Sequence, residues 1–205
     1  MTVHSAYRPA KADRVALVIL MLLGAAIIVA IAVDFVASTA RMLGPGPHHV
    51  SATFFELPAT LPLGPGGTEV PALVTAASVE VPALVAPATG FLIAELAVQF
   101  IAITTVIVCL LILGKRALRG VFFGRGNTAL VVTAGFAAIF GVMLPPILGQ
   151  MGTTEALLDL SEGDYFSFGV SANPIYLFVA IFIFGIIATA YTVGARIQRE
   201  TEGLV

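Results

Sequence analysis

The sequence predicts an all-α transmembrane fold: a four-helix bundle with both termini cytoplasmic and a small extracytoplasmic cap containing β-strands. Three observations carry that prediction. The 205-residue chain is 59% hydrophobic and only 11% charged, with a mean hydropathy of +1.03, whereas soluble domains are about 25% charged. So much apolar side chain cannot be hidden inside a soluble body of this size, and lipid must take the remainder. The apolar residues gather in four runs, at about 15–37, 91–113, 128–148 and 175–195. Finally, Lys and Arg are distributed unevenly between the connections. The whole of 1–205 reads as a single integral membrane domain.

The first span is led by Arg8, Lys11 and Arg14 against one acid, Asp13. Val15 to Val33 follows without a charge, close to the ~20 residues a helix needs to cross ~30 Å of hydrocarbon. The small residues at 37–40 raise the alternative of a cleaved leader. The apolar core of a signal peptide is about 7–15 residues, and this run is longer, so a retained helix is expected.

Residues 38–90 have another character. Gly and Pro cluster at 44–47 and 62–67, with β-rich pieces at Val50 to Leu57 and Glu69 to Val81. Such punctuation marks turns, and the pieces have strand length. Pro58, Pro62, Pro71, Pro82 and Pro87 argue against a spanning helix, since proline lacks a donor and clashes with the preceding turn. The second span, Phe91 to Leu113, leads into a basic connection at 114–128. The third runs from Thr128 to Leu148 and is expected to stop or kink at Pro145-Pro146.

Residues 149–173 form a second outer segment, with a short helical turn expected at Thr154 to Leu160 and a strand at Tyr165 to Val170. Asn173 and Pro174 are a helix-start signal for the fourth span.

The basic connection fixes the orientation. It holds Lys115, Arg116, Arg119 and Arg125, four of the ten Lys and Arg residues. Short basic connections stay in the cytoplasm. Three more bases precede the first span and Arg196 and Arg199 follow the fourth, which leaves Arg41 alone outside. The cytoplasmic pieces are then too short to fold alone, because domains below ~40 residues rarely do. A nucleotide-binding, kinase or DNA-binding domain is excluded, so no direct nucleic-acid binding is expected, and no GxGxxG or P-loop pattern is found at a strand–helix junction.

The connection and the C-terminus resemble a bacterial four-span membrane family catalogued as domain of unknown function 2975. The resemblance is carried by Gly120, Phe123 and Asn127 in G-V-F-F-G-R-G-N, and by the closing run from Gly194 through Glu200 and Glu202 to Val205. Phe122 stands where the family usually has Pro, and Ala129-Leu130-Val131 where it has basic residues. The resemblance implies four spans with a long first outer loop and no assigned activity. Members often sit beside a small helix-turn-helix regulator, which suggests membrane-linked control of transcription. A plain physical reading stands beside it: Gly120 and Gly126 let the chain turn, Phe122 and Phe123 anchor at headgroups, and Asn127 caps the third span.

Chemistry-bearing residues are few. Asp34 and Glu95 are the acids nearest hydrocarbon, with Gln99 one turn from Glu95 on the same face. Acids inside a membrane usually face the bundle interior or water. The functional reading is a proton- or cation-sensitive intramembrane pair; the plain one is two acids hydrated at the headgroups. His48-His49 with Glu56 lack a third ligand at recognisable spacing, so no metal is expected. Ser51, Ser78 and Ser171 have neither a GxSxG elbow nor an assignable base, and there is no HExxH. No cofactor and no enzymatic activity are expected. Small residues at Gly24, Ala26, Ala30, Gly135, Ala138, Gly141, Gly185 and Ala188 permit close helix approach, read as packing within the chain with a homo-oligomer left open.

The function expected is that of a multi-pass protein of the bacterial inner membrane. It senses or binds outside and acts through a partner at Lys115, Arg116, Arg119 and Arg125, either a small helix-turn-helix regulator or another membrane protein. The alternative is an accessory subunit or oligomeric carrier for a small solute or ion.

Overall fold

The computed structural model describes residues 11–119, 125–163 and 174–202. Helix α1 covers Lys11–Leu43, strands β1 and β2 cover His48–Leu61 and Val70–Val81, and helices α2, α3 and α4 cover Ala86–Ala117, Arg125–Leu160 and Pro174–Glu202. All four helices are long and apolar enough to cross a membrane. Their apolar residues are mostly not buried against protein. In α4 no residue of the apolar window 177–194 is buried, and Phe178 and Phe182 are among the most exposed large side chains. Helices apolar all round with so little protein cover are built for lipid.

The helices overrun the expected spans. α2 starts at Ala86, not 91, and takes in Pro87. Proline in the first turn is harmless, because its missing N–H would have had no partner there. The larger correction concerns α3. Its 36 residues pass through Pro145 and Pro146 without a break and absorb the turn expected at Thr154 to Leu160. The two prolines withdraw the N–H groups that would bond the carbonyls of residues 141 and 142. Spanning helices tolerate such losses when neighbouring groups resatisfy the backbone, and the stretch after Pro146 is held by packing described below. α4 opens on Pro174 as expected and remains helical to Glu202, through the expected tail. The strand expected at 165–170 and the cap residue Asn173 lie outside the described residues.

β1 and β2 form one antiparallel hairpin, paired from His48↔Val81 to Leu61↔Val70. Both strands are longer than or near the expected pieces. Pro58 and Pro71 are accommodated because each strand of a two-stranded sheet has a free edge. The tip holds Gly66 and Gly67 at φ +73° and +82°, a region glycine enters without steric cost. Between Thr53 and Leu57 the register slips. Glu56 lies there at φ +47°, a left-handed conformation that costs a non-glycine about 1–2 kcal/mol. The β-structure expected within 38–90 is therefore a hairpin, with the last turns of α3 beside it.

The chain divides into two compact units. A hairpin unit comprises 35–98 and 143–172; a terminal unit comprises 1–34, 99–142 and 173–205. α1, α2 and α3 each contribute a segment to both. In the hairpin unit Val50, Val81, Ala88 and Ala156 form the core, with Val79, Leu84 and Val85 against it. In the terminal unit glycines set the helix spacing. Gly24 meets Ile107 and Leu111, Gly141 meets Ala102, and Gly135 admits the ring of Phe184. Gly185 has open space instead, so only part of the expected small-residue packing is within the chain.

Candidate functional site

The hairpin unit contains a cleft built on the seam between α2 and α3. On α2, Ala88, Leu92 and Glu95 recur at helical spacing and share a face. On α3, Gly149, Gly152 and Ala156 do the same. A Cβ added at Gly152 would lie 2.8 Å from Leu92 Cγ and 3.1 Å from the Ala88 carbonyl oxygen. One added at Gly149 would lie 2.5 Å from Glu95 Oε2 and 2.8 Å from Oε1. Two absent side chains thus let the helices close, as small residues do in lipid. At Gly149 the vacated space is occupied by a carboxylate.

β1 closes the other side. Thr153 Oγ1 donates a hydrogen bond to the Ser51 carbonyl oxygen at 3.4 Å, so a polar turn of α3 covers part of a strand edge that would otherwise stand open. The cleft between them is about 330 Å³ and is lined by Glu95, His49, Gln150 and Thr153 among polar residues and by Met42, Leu92 and Pro146 among apolar ones. Gln150 and Thr153 are buried; Glu95 is half-buried.

Among the described residues nothing donates a hydrogen bond to the Glu95 carboxylate or forms an ion pair with it. The cation nearest in the chain on this unit is Arg41, and it is engaged with its own helix. Its Nη2 donates to Ser38 Oγ at 2.9 Å and its Nε to the Ala37 carbonyl oxygen at 3.4 Å. Arg41 lines a second, adjoining cleft of about 510 Å³ with Ser38, Pro47, His48 and Leu84.

The other candidate residues are dispersed. Asp34 and Gln99 are exposed and belong to the terminal unit, and neither lines the Glu95 cleft. His48 and His49 begin β1, where His49 pairs across the hairpin with Glu80. Among the described residues no three His, Cys, Asp or Glu side chains group as a metal site.

The basic connection is shorter than the sequence suggested, because α2 continues through Lys115 and Arg116 and α3 begins at Arg125. Lys115 and Arg119 are exposed. Arg116 is not: its Nη1 donates to Asn127 Oδ1 at 3.0 Å, and Asn127 is only 2% exposed. A Cβ at Gly126 would lie 2.6 Å from that same Nη1. Two expectations are corrected. Asn127 sits inside the first turn of α3, not ahead of it as a cap, and its side chain holds Arg116. Gly126 is helical and makes room for the guanidinium, where a turn was expected. Arg116 therefore joins α2 to α3 and leaves the exposed basic patch. Gly120, Phe122 and Phe123, and the Arg125 side chain, lie outside the described residues.

Sequence reasoning missed Gly149, Gly152, Gln150 and Thr153 as companions of Glu95. The spacing of Gly149, Gly152 and Ala156 is the available signal, but it follows two prolines and straddles the start of the short helical turn expected at 154–160. No family model, curated protein or solved structure matches this chain.

Proposed function

We propose that this is a non-enzymatic multi-pass protein of a bacterial inner membrane, which binds a solute on the outer side and relays its state to a partner inside. The carrying observation is the Glu95 carboxylate in the cleft of the hairpin unit, which has no hydrogen-bond or ion-pair partner among the described residues. Lys115, Arg119 and the basic residues near both termini favour an inner location for the terminal unit's connection. One crossing of α2 then puts its Ala86 end, and the hairpin, outside. The connection between α2 and α3 is too short to form a domain, which supports a second protein as the receiver of a signal there. The resemblance to the family of unknown function 2975 and its neighbouring regulators agrees with a regulator in that role. Lys115 and Arg119 are the contact residues in this reading; Arg116 is excluded because Asn127 already holds it.

A second reading, a carrier or accessory subunit for a small solute or ion, draws on the same carboxylate, since Glu95 lies on a span-length helix. The two readings part in one experiment. In a deletion strain, wild-type protein and Asp34→Asn restore the expression pattern that the deletion changes, and Glu95→Gln and the Lys115→Ala, Arg119→Ala pair do not. Restoration by Glu95→Gln overturns the binding reading. Glu95-dependent flux across liposomes holding only this protein establishes the carrier instead. Reporter fusions that place residue 119 and the hairpin on the same side overturn both.

A further inference from the structure

Resting on the reading that the hairpin unit binds a solute, we propose that the Glu95 cleft takes a small organic ammonium, R–NH3+, with Glu95 as its counter-charge. The cleft carries one acid and one imidazole, His49, and among the described residues no Lys or Arg lines it and none pairs with Glu95. An anion would meet the Glu95 carboxylate with no Lys or Arg in the lining to offset it, because Arg41 is turned onto Ser38 and Ala37. A neutral solute would leave the carboxylate without a charge partner in a half-buried place, where charge–charge attraction is stronger than in water.

The choice between cations follows from the walls. Divalent calcium takes 6–8 oxygen ligands, usually with several carboxylates; here one carboxylate faces one imidazole, and the described residues hold no three-ligand group. A bare monovalent ion would satisfy Glu95 and leave Met42, Leu92 and Pro146 uncovered. An alkylammonium uses both surfaces. Its N–H groups make charge-assisted hydrogen bonds to the Glu95 oxygens, and its carbon chain covers the apolar side. The volume, about 330 Å³, lies at the lower end of the ~300–1,000 Å³ of small-molecule sites, which favours an amine of a few carbons. Gly149 keeps the carboxylate reachable, since any larger residue there would meet Oε1 and Oε2.

The test uses full-length protein in detergent micelles and n-butylammonium chloride as the probe, read by calorimetric titration and by the shift in Tm. Wild type and Asp34→Asn bind it saturably. Glu95→Gln, which keeps the shape of the side chain and should keep the Tm of the free protein, weakens binding at least tenfold. Met42→Ala serves as a second variant and shifts preference toward longer alkylammonium chains. Equal binding by wild type and Glu95→Gln overturns the proposal. Equal affinity for n-butanol or n-butyrate, or displacement by calcium or potassium at lower concentration, overturns the ammonium assignment and leaves solute binding by the cleft standing. If no probe binds while Glu95→Gln still fails in the deletion strain, the ammonium is wrong and outer-side sensing is not. If Glu95→Gln succeeds there as well, both fall.

Discussion

In the terminal unit Arg116 reaches across a glycine and finds an acceptor; in the hairpin unit Glu95 reaches across a glycine and finds no donor. The packing device is the same. Gly126 and Gly149 each lack a side chain that would come within 2.6 Å or less of the charged group. The outcomes differ because Asn127, 2% exposed, offers Oδ1 to Arg116, whereas the residues around Glu95 leave a cleft. A charged group whose partner comes from its own chain is a structural tie. A charged group given room, cover and no partner among the described residues is what the proposed binding rests on.

That contrast can be tested by substitutions of decreasing expected effect. Gly149→Leu and Gly152→Leu should be the most damaging, at up to about 3 kcal/mol each, because the added atoms must displace Glu95 or Leu92 from a closed seam. Unfolding by SDS in mixed micelles measures this, and a loss no larger than that of Gly185→Leu, which faces open space, would remove the argument for the seam. Arg116→Ala should cost about 1–3 kcal/mol, since it strips a donor from a buried amide oxygen. Restoration by Arg116→Lys should be partial, because a lysine cannot reproduce the guanidinium fork. The smallest effect is expected for Glu95→Gln, within about 0.5 kcal/mol, as no bond within the chain is lost. If Glu95→Gln destabilises as much as Arg116→Ala, the two groups are alike and the contrast disappears.

Much of this architecture was legible in the sequence. The four long apolar helices and the β-rich segment between the first two needed only composition and punctuation. Helix limits were less legible, for a reason visible at Pro145-Pro146. The rule that proline ends a helix is calibrated where water competes for the freed carbonyls. Here α3 continues and then supplies Gly149, Gly152 and Thr153 to the site. An outer segment from 149, with a helical turn only at 154–160, therefore hides the neighbours of Glu95. Asn127 misled for a related reason: asparagine next to a span reads as a cap, and only the return of Arg116 from the end of α2 shows its other use.

The pair Asp34 and Glu95 illustrates the remaining limit. Similar depth along two spans is a one-dimensional property, and Asp34 and Glu95 belong to different compact units. Glu95 is singled out instead by what surrounds it, a glycine more than fifty positions away and the 49–53 stretch of β1, more than forty positions before it.

Composition by itself determined that four segments are long and apolar enough to cross a membrane. This follows from transfer energies, which sum over residues without reference to neighbours. Which charge is tied and which is left free was decided only in three dimensions. Pairing depends on distances between groups far apart in the chain, and a single missing Cβ sets those distances.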